Sequence, residues 1–325
     1  MGEALEIAKV LVSPTMKLMD MVGSAVGTLY KPRHKRKMAD AIVYEINSIG
    51  EVMRKYADLP IVYDQNGVAI NSEDFNRLMQ RAGTRLVLQE TIKQHNIESV
   101  IDNAYEVLEK EEVCSEEPVE QGWINRFFDS VADVSNEDLQ KLWGQLLAGE
   151  TKKPGSFSLK TLDILKNLRP QDAQLFQSML PFTIKNGNAR FITSEQSLME
   201  KYNINYGMII VLDDLGLMLS NPFMKSNPEI EQGGMLRSIY TQNYLLALEN
   251  KQSNMGTISF GSYFLTSAGK ELCDLLSYEP NDNYFVDWVR FIREKNKDKN
   301  ILFSVHNRVN HGITPPLYSE ESLDI

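Results

Sequence analysis

The sequence predicts a mainly α fold: N-terminal amphipathic helices, a helical central module and a C-terminal α+β domain. Three observations predict it. Apolar residues recur at three-, four- and seven-residue spacing from the start of the chain to Met179. Helix-starting residues precede those runs, and Gly or Pro follows them. From Phe182 onward the pattern changes, and apolar runs of strand type enter it. A chain of 325 residues, 42% hydrophobic and 24% charged, is ordinary globular material for two or three domains.

The opening helix is written in three adjacent columns: Ala4, Leu11, Leu18 and Ala25; Leu5, Val12, Met19 and Val26; Ala8, Val22 and Leu29. They form one broad apolar stripe. Pro14 is expected to kink this helix, with Ser13 capping its second half. Lys31-Pro32-Arg33-His34-Lys35-Arg36-Lys37 follows, with five formal positive charges in seven residues. A second helix carries Met38, Ile42, Val52, Met53 and Tyr56, completing a region 1–58. Region 59–121 comprises a connection with a short hairpin at Gln65-Asn66-Gly67, a helix from Ser72 towards His95, another over Ile97–Glu112, and an acidic linker.

Region 122–181 is expected to be a central module of short helices. Trp123, Ile124, Phe127, Phe128 and Val131 make one apolar face. Ser135 and Asp138 read as a capping box for the helix of Leu142, Trp143, Leu146 and Leu147, which Gly149 ends. Pro170 opens the last helix of the module. In region 182–312 the sequence predicts helix over 194–218, a loop over 220–234, a hairpin of Tyr244–Leu248 with Thr257–Leu265, a helix from Thr266, a helix over Tyr284–Glu294 and a strand over Ile301–His306. Residues 313–325 read as a flexible tail.

Charge and composition exclude several function classes. A net charge of −10 disfavours broad binding to nucleic acid. Cys114 and Cys273 form neither a disulfide framework nor a metal-ligand pair, and read as thiols in a reducing cytoplasm. The N-terminus lacks the pattern of a secretory signal, and no run of about 18 apolar residues suggests a membrane span. His34, His95, His306 and His311 have no ligand-spaced partner, and there is no phosphate-binding glycine motif. No catalytic, cofactor-binding or metal-binding residue is expected.

What stands out is material for interaction. Leu11, Leu18, Val22 and Leu29 mark the stripe, Lys31, Arg33, Lys35, Arg36 and Lys37 the basic cluster, and Trp143 the central helix. The stripe suits a partner helix or a second copy of the chain. With the basic cluster, residues 1–37 could equally lie on an anionic membrane.

Glu137-Asp138-Leu139-Gln140-Lys141-Leu142-Trp143-Gly144-Gln145-Leu146-Leu147-Ala148-Gly149-Glu150, followed by Lys153-Pro154-Gly155-Ser156-Phe157-Ser158-Leu159-Lys160-Thr161-Leu162, resembles the bacterial family catalogued as domain of unknown function 2806. Gly27-Thr28-Leu29-Tyr30-Lys31-Pro32 and Leu265–Leu272 look like it too, so the likeness extends over about residues 20–305. The family implies no reaction. The Trp143 helix is also similar to proteins of abortive-infection alpha type, which implies defence against phage. The Leu215-Gly216-Leu217 turn, the expected hairpin and the Thr266 helix together resemble a winged-helix domain, although Glu195–Leu217 is too acidic for a groove-reading helix.

The expectation is therefore a non-enzymatic bacterial interaction protein, cytoplasmic or peripheral at the inner membrane face, acting in phage defence by oligomerisation. A membrane-active effector and a nucleic-acid sensor are the competing classes, nucleic acid being the less favoured partner.

Overall fold

The computed structural model describes residues 11–26, 73–221, 223–309 and 317–323. The chain divides into two compact units, Met1–Leu162 and Asp163–Ile325. Their boundary falls inside the stretch 122–181 that the sequence reads as one module.

The N-terminal unit is a helical bundle. Leu11–Val12 (β1) pairs antiparallel with Cys114–Ser115 (β2), and Pro14–Val26 forms α1. Pro14 thus opens a helix rather than kinking one, because residues 11–12 are extended and Ser13 accepts the first helical N–H, from Lys17 at 3.1 Å. Glu73–Leu108 is a single 36-residue helix, α2, where the sequence suggested two. Neither proline nor glycine interrupts residues 84–108, so the helical hydrogen-bond ladder continues through His95-Asn96-Ile97.

Gln121–Val131 (α3) and Glu137–Lys152 (α4) belong to the bundle too, and α1 packs on α2, α3 and α4. The cap of α4 is Asn136, whose side chain accepts from Asp138 N and Leu139 N at 3.1 Å each, not the expected Ser135 box. The helix also runs past Gly149 to Lys152. Phe127 lies at the centre, with Trp123 stacked on it at 5.1 Å and Trp143 edge-on at 5.3 Å. Leu18, Val22, Val100, Ala104, Leu108 and Leu146 fill the space around these rings.

The C-terminal unit corrects the mainly α reading: it is strand-rich α+β. Its strands are Ile184–Asn186 (β3), Ala189–Thr193 (β4), Lys225–Ser226 (β5), Glu229–Ile230 (β6), Met235–Tyr240 (β7), Tyr244–Asn250 (β8), Gly256–Thr257 (β9), Phe260–Phe264 (β10), Ile301–Arg308 (β11) and Tyr318–Leu323 (β12). Eight of them form one antiparallel sheet in the order β12-β11-β8-β7-β3-β4-β10-β5, and β6 pairs with β9 apart from it. The expected hairpin does not exist. β8 pairs with β7 and β11, and β10 pairs with β4 and β5, so the winged-helix-like arrangement is replaced by this sheet. The tail expected to be flexible supplies β12.

The helices around the sheet are Leu159–Lys166 (α5, which spans the unit boundary), Pro170–Met179 (α6), Gln196–Lys201 (α7), Tyr206–Asp214 (α8), Ser267–Leu275 (α9) and Asp282–Lys295 (α10). Pro170 opens α6, and Arg169 with Asp172 forms its capping box. Helix α10 presents Tyr284, Phe285, Trp288, Val289 and Ile292 to the core at helical spacing, and Trp288 meets Phe260 at 5.1 Å and Phe191 at 5.7 Å.

Candidate functional site

The most unusual surface lies on α2. From Asn96 to Leu108 the helix buries Val100, Ile101, Ala104 and Leu108 in the bundle, yet none of residues 77–95 is buried. At 1.5 Å per residue, about 28 Å of helix carries no buried residue among those described. The apolar pattern does not stop where the packing does. At 3.6 residues per turn, Leu78, Met79, Ala82 and Leu86 fall within about 100° of one another and in phase with the buried Val100 and Ala104. Leu78, Met79 and Leu86 are 52%, 55% and 52% exposed. Arg77, Arg81 and Arg85 form the neighbouring ridge, four residues apart and exposed.

The residues expected to carry interaction are placed otherwise. Leu18 and Val22 are fully buried against the other helices of their own bundle, so this part of the stripe is core rather than a docking face. Leu11 belongs to β1, its backbone registered with Ser115. Trp143 is buried as well, which removes it from any surface, and among the described residues its indole N–H has no hydrogen-bond partner. Leu29, Lys31, Arg33, Lys35, Arg36 and Lys37 lie outside the described residues.

The α4 motif is an internal clasp. Gly144 lies at a close approach of α4 to α2: a Cβ there would stand 2.5 Å from Asn103 Cβ and 3.0 Å from Ala104 N. The buried Glu150 carboxylate accepts from Gly155 N at 2.6 Å and Phe157 N at 3.0 Å, holding the Lys153–Phe157 turn against the helix end. Gly155 sits at φ +80°, open to glycine at no steric cost. Phe157 O in turn accepts from Trp123 Nε1 at 2.9 Å. Gly144 thus serves the helix crossing, and Glu150 with Gly155 and Phe157 the turn that follows it.

The C-terminal unit holds a buried polar cluster. Arg190 donates to Tyr278 Oη at 2.9 Å, to Cys273 Sγ and to the Asp274 carboxylate. Burial pushes the Cys273 thiol up despite the guanidinium beside it, and pushes the Tyr278 phenol up to about 12. Cys273 is thus a buried thiol held by hydrogen bonds, the setting of a structural cysteine. His306 is engaged on both nitrogens, with Ser304 Oγ at 2.9 Å and Ser319 O at 3.0 Å. Among the described residues no group of His, Cys, Asp and Glu could hold a metal ion, and no helix is long and apolar enough to cross a membrane.

Periodicity contained the α2 signal, since Met79, Leu86 and Val100 lie on one seven-residue column. It gave no sign of which turns are covered. No curated protein and no solved structure matches the chain. The family model described as protein of unknown function (DUF2806) matches residues 80–288, more than half of the sequence, and takes in the Gly144 crossing, the Glu150 clasp, the Arg190 cluster and most of the sheet. The chain belongs to the DUF2806 family.

Proposed function

We propose that this protein is a non-enzymatic interaction protein that assembles with further copies of itself through the exposed half of α2. The observation that carries the reading is the apolar stripe of Leu78, Met79, Ala82 and Leu86, which continues the bundle's own core pattern without a covering element among the described residues. A second copy is self-complementary to it. An antiparallel two-fold crossing between Ala82 and Gly83 sets Met79 against Leu86 and Leu78 against Val87, with small residues at the closest approach. Arg81 and Arg85 flank the contact with like charge, so assembly should tighten as salt rises.

Sedimentation of the full chain over a range of concentrations tests this. We expect a dimer or larger species that Leu78→Glu with Leu86→Glu converts to monomer without loss of helical content. A wild-type chain that stays monomeric at about 100 μM would overturn self-assembly, since even modest affinities populate the complex there. The likeness of the α4 sequence to abortive-infection alpha proteins supports defence against phage as the purpose of the assembly. Bacteria expressing the wild type should then plate phage less efficiently than those expressing the double variant, and equal plating would remove that purpose.

A further inference from the structure

The C-terminal unit carries a second exposed apolar surface, drawn from one short stretch of chain. Tyr206, Ile210, Val211, Leu219 and Phe223 are all exposed, Phe223 to 85%. Clustered exposure of this kind marks recognition more often than scattered exposure does. An open groove crosses the patch, lined by Tyr206, Asp213, Leu219, Asn221, Phe223 and Met224 among others, with a volume of about 440 Å³. That size suits one or two side chains rather than a folded element.

One wall of the groove is fixed in place. Tyr206 Oη donates to Ser220 O at 3.1 Å, while Ser220 N at 3.2 Å and Ser220 Oγ both donate to Asp213 Oδ2. Asn221 Oδ1 accepts from Phe223 N at 2.9 Å. The lining combines two aromatic rings with the Asp213 carboxylate, Asp214 is exposed next to it, and no lining residue is cationic. Aromatic faces beside a carboxylate favour a cation with apolar neighbours over an anion.

We propose that this groove binds the lysine or arginine side chain of a basic, apolar-flanked protein segment. The site lies in a different unit from the α2 stripe and does not depend on self-assembly. A suitable probe is a fluorescein-labelled decapeptide with the sequence of residues 29–38, which joins Leu29, Tyr30 and Met38 to the lysines and arginines between them. Anisotropy titration with the full chain should saturate, and Phe223→Ala, at a residue too exposed to matter for folding, should weaken binding about tenfold, the scale of one lost cation–π contact. Asp213→Asn with Asp214→Asn should weaken it further and flatten its salt dependence. Leu78→Glu with Leu86→Glu should leave it unchanged, so this inference and the assembly reading fail separately. No saturation below about 1 mM, equal binding of a peptide with the basic residues replaced by glutamate, or indifference to Phe223→Ala would each overturn the proposal.

Discussion

Replacing Gly144 by alanine should destabilise the N-terminal unit although alanine is the better helix former. A Cβ at this position would lie 2.5 Å from Asn103 Cβ, 3.0 Å from Ala104 N and 3.1 Å from Asn103 C. Two of those three atoms are α2 backbone, so the clash cannot be relieved by a side-chain rotation, and the helices must separate. Helix propensity favours alanine by about 1 kcal/mol. Forced separation in a packed core costs about 1–3 kcal/mol, and loosening the contacts of Trp143, Leu146 and Leu147 adds to it. The net expectation is a loss of about 1–2 kcal/mol. Gly23 in α1 is the control, since nothing lies within 4 Å of its would-be Cβ. The same substitution there should gain up to about 1 kcal/mol. Urea unfolding followed by tryptophan fluorescence reads both, because Trp123 and Trp143 report from this unit. With a slope of about 2 kcal/mol per molar urea, the two midpoints should move in opposite directions by roughly 0.5–1 M and 0.5 M. A Gly144→Ala midpoint at or above wild type would refute a close helix crossing at this residue.

Glu150→Ala leaves the Gly155 and Phe157 N–H groups without their acceptor and should cost about 2–4 kcal/mol in thermal unfolding; Glu150→Gln, which keeps one acceptor oxygen, should cost less, and equal losses would count against the clasp. The Arg169 side chain, hydrogen-bonded to Asp172, holds that carboxyl below its usual range. A depressed folded-state pKa stabilises fully above the unfolded value near 4 and is lost as pH falls through the lower folded one. Asp172→Asn should therefore flatten the acid limb of a midpoint-against-pH plot below about pH 4, and an unchanged slope would show the pair to be inert. Arg190→Ala strips Tyr278, Cys273 and Asp274 of a buried partner and should cost about 2–4 kcal/mol, discounted for the exposed Asp274. It should also make Cys273 react with a thiol reagent that the native chain resists.

Much of the bundle was legible because its helices write their buried faces at 3.6-residue spacing: Trp123, Ile124, Phe127 and Phe128 on α3, Leu142, Trp143 and Leu146 on α4. The sheet was not, for a reason of range. β8 and β10 each look like strands locally, but besides β7 and β5 they pair with β11, some fifty residues further on, and β4, nearly seventy earlier, and no turn residue fixes those two pairings. β3 and β5 are three and two residues long, too short for a period-two signal to rise above chance. The two ends of the α2 stripe are indistinguishable in sequence, since periodicity tells which face is apolar and says nothing about whether it is covered. Glu150 was invisible as a clasp because its partners are backbone N–H groups, which every residue but proline carries.

The outermost strand has a practical corollary. β12 pairs with β11, accepts at Ser319 O a hydrogen bond from His306 Nδ1, and lays Tyr318 edge-on to the His306 ring at 5.2 Å, with Arg237 over the Tyr318 ring at 5.0 Å. A stop codon placed just before Tyr318 would shave off what sequence inspection takes for a dispensable fringe. It would bare the long rim of β11 to any stray extended chain, and precipitation during purification is the expected penalty. Affinity handles and trimmed versions should leave those last residues alone.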